Sequence, residues 1–225
     1  MTSYNIITQS DESTVLAEYV SKGERQACYQ SEADLERDFI KLLGELGYEY
    51  LPVHSERELI PNLKRQLELL NGFTFSDSEW EQFFHGCIAG KNDGIVEKTR
   101  RIQEDHIQIL RCDDGSTKNI SLIDKKNIYN NRLQVIHQYE NNEGRYKNRY
   151  DVTILVNGLP LIHIELKRRG VPIREAFNQI ERYHRDSFWA GSGLFEYVQI
   201  FVISNGTNTK YYSNTTRYNH LKANE

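Results

Sequence analysis

The sequence predicts an α/β chain in which a central mixed β-sheet is flanked by helices, with a small helical insertion after the first core helix. Two kinds of pattern support this: segments with apolar residues three or four positions apart, typical of helices, and shorter, nearly continuous apolar runs, typical of strands. The predicted order is helix, insertion, several strands, helix, strand and strand. At 225 residues and 26.4 kDa, the chain is long enough to bury such a core as one large domain.

The first helix is predicted to begin after residue 30. Residues 1–30 are polar and show no periodicity, which predicts a partly ordered arm ahead of a domain over residues 31–225. Ser31 is the predicted N-cap, because Glu32 and Asp34 follow it in the first turn, where acidic side chains are favourable. The predicted apolar stripe comprises Leu35, Phe39, Leu42 with Leu43, and Leu46, and ends at Gly47.

The helical insertion is predicted over residues 61–90, approximately. Pro61 is expected to open one helix, which Asn71-Gly72 ends. Ser76 and Glu79 form a capping-box pattern that predicts the start of another helix.

The remaining elements follow from apolar runs and turn residues. One hairpin, one further strand, a helix that begins at Pro172 and two final strands are predicted. The strands are expected at residues 106–112, 117–123, 133–139 and 197–203 and around Tyr211. The run 197–203 is nearly all apolar, as is typical of a strand covered on both faces.

A hairpin is also predicted over Asp151 to Lys167, around Asn157-Gly158. Even-numbered apolar residues alternate along both strands, and residues opposite each other share a face. Burying both even rows together requires a connection of odd length, whereas a two-residue Asn-Gly turn would place the rows on opposite faces. The sequence therefore predicts a three-residue loop with Gly158 in the left-handed conformation, making a bulge.

This register brings Asp151, Glu165 and Lys167 to one face of the hairpin. Two neighbouring carboxylates repel each other unless a positive group lies between them, and Mg²⁺ favours such oxygen ligands. The pattern predicts a Mg²⁺ site, with Mn²⁺ as a substitute, held by Asp151, Glu165 and the backbone carbonyl of Leu166. Lys167 could orient or deprotonate an attacking water or stabilise negative charge on a phosphate. A charge cluster on an edge strand is the alternative interpretation.

The charge distribution predicts a phosphate-binding rim beside this cluster. The net charge is −4, but residues 165–185 contain six basic and three acidic side chains and so carry +3. Arg168 and Arg169 lead this segment, and its position directly after the acids favours phosphate binding over a solvated helix face. Gln179 and Tyr183 lie four residues apart and share a face of the predicted helix. They could face the site or merely border the core.

Composition and motifs indicate an intracellular location. The sequence lacks an apolar run near the length needed to span a bilayer and a secretion signal, so no membrane association is predicted. Three scattered cysteines, Cys28, Cys87 and Cys112, are typical of a reducing cytoplasm.

Taken together, Asp151, the triplet Glu165-Leu166-Lys167 and the segment Gln179 to Tyr183 resemble the PD-(D/E)xK nuclease motif followed by the QxxxY motif of the RecB-like subgroup. The wider sequence resembles the N-terminal nuclease domain of the restriction (motor) subunit of type I restriction enzymes. The resemblance covers roughly residues 28–215 and includes QSEADLERDFIKLLGELGYEY, LIDKKN and IFVISNGT. It implies a restriction-endonuclease-like fold. It also implies a type I site-specific deoxyribonuclease that cleaves double-stranded DNA with Mg²⁺.

The resemblance also implies residue roles. Asp151, Glu165 and Lys167 would be catalytic, and Gln179 and Tyr183 would support them or position DNA. Glu32, with Glu36 as the competing choice, would be the acid of the first helix and a further metal ligand. Tyr150 stands where the family motif often has proline. His163 shares the predicted face and is interpreted as a packing or supporting residue.

The resemblance further implies partners that act with a longer protein. Methylase and specificity subunits would join the complex, and ATP would be needed only by the full-length subunit. The segment Gly86 to Asn92 is one residue short of a phosphate-binding loop and lacks its Ser or Thr. We therefore expect an N-terminal fragment without the ATPase motor. The alternatives are a free-standing structure-specific nuclease of the same fold and a non-catalytic module that docks DNA or another subunit.

Overall fold

An eight-stranded mixed sheet organises the chain in the computed structural model. The structure describes residues 3–9, 15–20, 30–142, 144 and 146–214, with only the backbone described for the first two ranges. The ten strands are β1 (Ser3–Gln9), β2 (Val15–Val20), β3 (Glu49–Tyr50), β4 (Ile107–Arg111), β5 (Thr117–Ser121), β6 (Leu133–Asn141), β7 (Asn148–Val156), β8 (Leu159–Leu166), β9 (Ile200–Ser204) and β10 (Asn208–Ser213). The large sheet has the order β1-β2-β10-β9-β8-β7-β6-β3. β8 pairs parallel to β9 and β3 parallel to β6, while the other pairs are antiparallel.

The described residues form five α-helices, which accompany the sheet. They are α1 (Glu32–Glu45), α2 (Glu56–Asn71), α3 (Asp77–Phe83), α4 (Ile95–Gln103) and α5 (Ile173–Asp186). A π-helical turn (Phe84–Ile88) and two 3₁₀ turns (Ile128–Asn130 and Leu194–Tyr197) complete the helical structure of the described residues. None of the described helices combines the length and apolar character that a membrane span requires.

The beginning of the chain differs from the expected polar arm. β1 and β2 form an antiparallel pair, and β2 also pairs with β10. The sequence of β2, VLAEYV, is mostly apolar, so a signal for this strand was present and was missed. The remainder of the predicted arm, apart from Gln30, lies outside the described residues.

α1 covers one face of the sheet, and the predicted start of this helix is confirmed. The Ser31 side chain accepts from the Asp34 amide at 3.2 Å, and Asp34 bonds back in a capping box. The predicted stripe is only partly right, because Leu42 and Leu46 are exposed while Leu43 is buried. The buried residues of the cluster under α1 are Leu43, Val135, Val152, Ile154, Ile164 and Leu166.

α5 covers the opposite face of the sheet. Ala176, Ile180 and Tyr183 of α5 join a larger core that includes Leu155 of β7 and Leu161 of β8. Since alternate side chains of a strand point to opposite faces, the two clusters lie on opposite faces of the sheet, and the sheet lies between α1 and α5. The helix begins directly after Pro172, as predicted.

The helical insertion is longer than predicted. It comprises α2, α3, the π-helical turn and α4, and therefore spans residues 56–103 rather than 61–90. Pro61 does not open α2, which begins five residues earlier at Glu56, but Gly72 ends it in the left-handed conformation as expected. The predicted Ser76–Glu79 capping box is confirmed. Within the described part of the chain, β4 and β5 pair only with each other, in a separate two-stranded sheet.

Candidate active site

The β7–β8 hairpin has the predicted register but reaches it by a different turn. Asn157 and Gly158 have φ angles of 50° and 83°, the signature of a two-residue type I′ turn, and Val156 pairs with Leu159. The predicted three-residue loop is therefore wrong. After the next pair, Leu155–Pro160, Leu161 is an extra residue in β8 and forms a bulge. Beyond this bulge the predicted pairs Ile154–Ile162 and Val152–Ile164 form.

Tertiary contacts explain why the tight turn is used. The Asn157 side chain accepts from the Arg132 amide at 2.9 Å and donates to the Leu122 carbonyl at 3.1 Å. A Cβ atom on Gly158 would lie 2.7 Å from Cα of Leu63, so this turn packs directly against α2. The bulge is thus displaced into β8, where it corrects the register.

Asp151, Glu165 and Lys167 come together at the end of this hairpin. Glu165 is fully buried, and its Oε1 lies 3.1 Å from Nζ of Lys167. Lys167 also donates to the Leu166 carbonyl at 3.2 Å, and the Leu166 amide donates to Oδ2 of Asp151 at 2.9 Å. The predicted clustering of the two acids and the lysine is confirmed, while their catalytic roles stay predictions.

The two buried acids, Asp151 and Glu165, have raised pKa values. Burial, together with the charge of Glu165, raises the pKa of Asp151 to about 7. Burial also raises the pKa of Glu165 to about 7, against the opposing effect of Lys167. Burial lowers the pKa of Lys167, but the charges of Glu165 and Asp151 outweigh this and raise it. One ammonium therefore offsets two carboxylates incompletely.

The donor set is compatible with a hard divalent cation. Within the described residues, Oε2 of Glu165 is buried without a hydrogen-bond partner, and its neighbour is Nε2 of His163 at 3.5 Å. Two carboxylates and the Leu166 carbonyl supply the oxygen atoms that Mg²⁺ prefers. The described residues contain no group of three or more His, Cys, Asp or Glu side chains arranged around one metal position. Water and substrate oxygens would have to complete the shell.

Both candidate acids of α1 reach this site. Oε1 of Glu32 accepts from the Arg168 amide at 3.3 Å, and its Oε2 lies 3.9 Å from Nζ of Lys167. Glu36 is buried and accepts a hydrogen bond from the Gln138 amide. Burial raises the pKa of Glu36, and the charge of Asp151 acts in the same direction. Both acids line the same cleft, so the choice between them stays open.

Gln179 and Tyr183 face the site and hold β7. The Gln179 amide donates to the Tyr183 hydroxyl, which donates to the Arg149 carbonyl at 2.7 Å. The Tyr183 ring packs edge to face on Tyr150, with ring centroids 4.8 Å apart. This pair therefore anchors β7 two residues before Asp151, a supporting contact that the helical spacing alone did not reveal.

His163 lies beneath the site. It is fully buried, its Nδ1 is 3.3 Å from Oγ1 of Thr153, and its ring packs against Tyr150 and Phe188. These contacts agree with its interpretation as a packing and supporting residue.

An open cleft of about 960 Å³ gives access to this cluster, and residues of α1, β6, β7 and α5 line it. The residues that line the cleft include Asp151, Lys167, Gln179, Tyr183, Glu32 and Glu36, together with a basic rim of Arg37, Lys147, Arg149 and Arg182. Arg182 belongs to the predicted basic segment. Lys147 and Arg149 were missed, although both lie within four residues of Asp151, and Arg37 was missed beside Glu36.

Arg168 and Arg169 are placed differently from the basic rim. Both are exposed and lie outside the lining of the cleft, just beyond the end of β8. Their role in positioning DNA stays a prediction.

Comparison with known proteins provides an independent line of evidence. Residues 29–220 match the family described as the type I restriction enzyme R protein N terminus. The chain is 49% identical over 212 residues to the type I restriction enzyme EcoprrI endonuclease subunit of Escherichia coli, covering 94% of this chain and 67% of that protein. It is 41% identical over 191 residues to the SauMSSORF170P endonuclease subunit of Staphylococcus aureus strain MSSA476, covering 83% of this chain and 20% of that protein. It therefore spans only about a fifth of the length of the staphylococcal relative.

Proposed function

Since this chain belongs to the family of type I restriction enzyme R protein N termini, we propose that it is a Mg²⁺-dependent endonuclease domain that cleaves double-stranded DNA. The observation that carries the proposal is the meeting of Asp151, Glu165 and Lys167: Asp151 and Lys167 line a cleft with a basic rim, and Glu165 is buried against Lys167. We also propose a restriction-endonuclease-like fold, which the mixed sheet with helices on both faces supports.

Asp151, Glu165 and the Leu166 carbonyl would hold the cation, with Glu32 or Glu36 adding a further acid. When bound, Mg²⁺ supplies charge neutralisation at the phosphate and lowers the pKa of a coordinated water. Lys167 contacts both the Glu165 carboxylate and the Leu166 carbonyl, so its ammonium is placed to stabilise negative charge next to the same oxygen atoms.

The basic rim would bind the DNA backbone. Arg37, Lys147, Arg149 and Arg182 line the cleft, and such side chains neutralise phosphates without reading sequence. We therefore propose that sequence recognition belongs to a specificity subunit. Methylase and specificity subunits, and an ATP-driven motor in the full-length protein, would decide where and when the cleft engages DNA.

The test is cleavage of circular DNA by the assembled restriction complex with ATP and Mg²⁺. Asp151→Asn and Lys167→Ala in the full-length subunit should abolish cleavage while ATP hydrolysis and subunit assembly continue. Asp114→Asn, in the exposed turn between β4 and β5, is the matched control and should cleave normally.

Two outcomes would contradict the proposal. Normal cleavage by Asp151→Asn or Lys167→Ala would exclude their catalytic role and favour a docking module. Cleavage by this chain alone, without ATP or other subunits, would favour a free-standing nuclease.

A further inference from the structure

Gln138 has an unusual backbone conformation for a residue in the middle of a strand. It lies within β6 and has a φ of 53°, in the left-handed region that L-residues with a Cβ atom avoid. Asn157 is the other non-glycine residue with positive φ in the described chain, and its tight turn requires that conformation. No turn explains the conformation of Gln138.

This conformation coincides with a break in the sheet at Asp151. The β6–β7 ladder pairs His137 with Val152 and Tyr139 with Tyr150, but the intervening residues, Gln138 and Asp151, are unpaired. Val152 packs in the cluster under α1, whereas Tyr150, two residues away, packs in the core under α5. In a regular strand, residues two positions apart point to the same face. The side chains of β7 therefore change face at Asp151, opposite Gln138.

The side chain of Gln138 has a defined partner across the cleft. Its amide donates to Oε2 of Glu36 on α1, and both residues line the cleft together with Asp151. Glu36 is buried, and an amide donor satisfies its oxygen without neutralising its charge. A strained residue at this position is therefore joined to a buried acid beside the two candidate metal ligands.

We infer that Gln138 is a positioning residue that holds the Glu36 carboxylate in the cleft beside Asp151. The left-handed backbone aims the Gln138 amide at α1 and interrupts the ladder where Asp151 leaves it. Strain of this kind persists at functional sites because the surrounding structure enforces it. The inference rests on the proposed function, since it assigns Glu36 a part in binding the cation.

Mn²⁺ affinity of this chain, measured by isothermal titration calorimetry, tests the inference. Gln138→Asn should weaken Mn²⁺ binding about 10-fold, because Asn tolerates left-handed φ but its amide is too short to reach Glu36. Its Tm should stay within about 2 °C of the unaltered chain, since the backbone conformation is retained. Gln82→Asn, on the exposed surface of α3, is the matched control and should leave affinity unchanged.

A double-mutant cycle with Glu36→Ala separates positioning from a general effect on the fold. If Gln138 acts through Glu36, Gln138→Asn should cause no further loss of affinity in the Glu36→Ala background. Unaltered affinity in Gln138→Asn, or an equal loss in both backgrounds, would overturn the inference. Mn²⁺ binding by Asp151→Asn as tight as by the unaltered chain would instead contradict the proposed cation site itself.

Discussion

The hydroxyl of Tyr183 donates a hydrogen bond to the backbone carbonyl of Arg149 at 2.7 Å and accepts one from Gln179. This contact ties α5 to β7 two residues before Asp151. Burial raises the pKa of Tyr183, so the hydroxyl keeps the proton with which it donates.

Tyr183→Phe should therefore lower the rate of DNA cleavage about 10-fold while the domain stays folded. Removing the hydroxyl leaves the Arg149 carbonyl without this donor, at a cost of about 1–2 kcal/mol in the free energy of unfolding. Cleavage rates of the assembled complex and urea unfolding of the domain give the two values. Tyr129→Phe, at an exposed position, is the control, and an equal effect of both changes would exclude a specific anchoring role.

Asp151→Asn should stabilise the chain at pH 8 in metal-free buffer. Because the pKa of Asp151 is raised from 3.8 to about 7 on folding, the folded state binds more protons than the unfolded state between these values. The contribution of the protonated Asp151 carboxyl group to the stability of the fold is therefore lost as the pH rises through this range. The free energy of unfolding of Asp151→Asn should exceed that of the unaltered chain by about 1–2 kcal/mol at pH 8 and by little at pH 4. Urea unfolding with EDTA at both pH values measures this difference. A constant difference would contradict the raised pKa.

Lys167→Met should destabilise the domain by about 2–4 kcal/mol at pH 8, because it leaves the fully buried Glu165 without its cationic partner. The double variant Glu165→Gln/Lys167→Met should recover most of this loss, since a neutral amide replaces the unpaired carboxylate. Urea unfolding of the single and double variants at pH 8 measures both effects. If the double variant were as unstable as Lys167→Met, lost packing rather than an unpaired charge would be the cause.

Gly158→Ala should cost more stability than Gly115→Ala. Both glycines have a φ of 83°, so both substitutions introduce the same backbone strain, about 1 kcal/mol. Only at Gly158 would the new Cβ meet backbone, 2.7 Å from Cα of Leu63, whereas nothing lies within 4 Å at Gly115. Chemical unfolding should show an additional loss of about 1–3 kcal/mol at Gly158. Equal losses would show that the turn does not pack tightly on α2.

Arg149→Gln and Arg182→Gln should each weaken DNA binding and reduce the slope of log K against log salt by about 1, because each loses one phosphate contact. Fluorescence anisotropy over a salt series measures both quantities. Arg168→Gln and Arg169→Gln are the informative comparison, since these side chains lie outside the cleft lining. A larger effect at Arg168 or Arg169 would support the DNA-positioning role predicted for them from the sequence and contradict the proposed role of the basic rim.

The candidate site was largely predictable because its signals are local. The alternation of apolar residues in β7 and β8 specified the register, and the register placed Asp151, Glu165 and Lys167 together. The motif resemblance specified the family, and the match over residues 29–220 confirms it. The capping patterns at Ser31 and Ser76 correctly predicted where two helices begin.

Non-local packing explains the errors. The hairpin uses a two-residue turn because Gly158 must pack against Leu63 of α2, a contact between segments nearly a hundred residues apart. Leu43 rather than Leu42 is buried because the sheet determines which side of α1 it covers. β1 and β2 were missed for a different reason, because the short apolar run of β2 was not recognised within a segment interpreted as polar.

Sequence patterns were enough to predict the fold class, the family and the three charged residues of the hairpin, because the periodicities and motifs that indicate them can be read along the chain. The surroundings of these three residues became evident only in the folded chain: the basic rim from Arg37, Lys147, Arg149 and Arg182, the tyrosine that anchors β7, and the left-handed Gln138 opposite Asp151. These features join α1, β6, β7 and α5. Their positions follow from how helices pack on opposite faces of the sheet, which no single segment specifies.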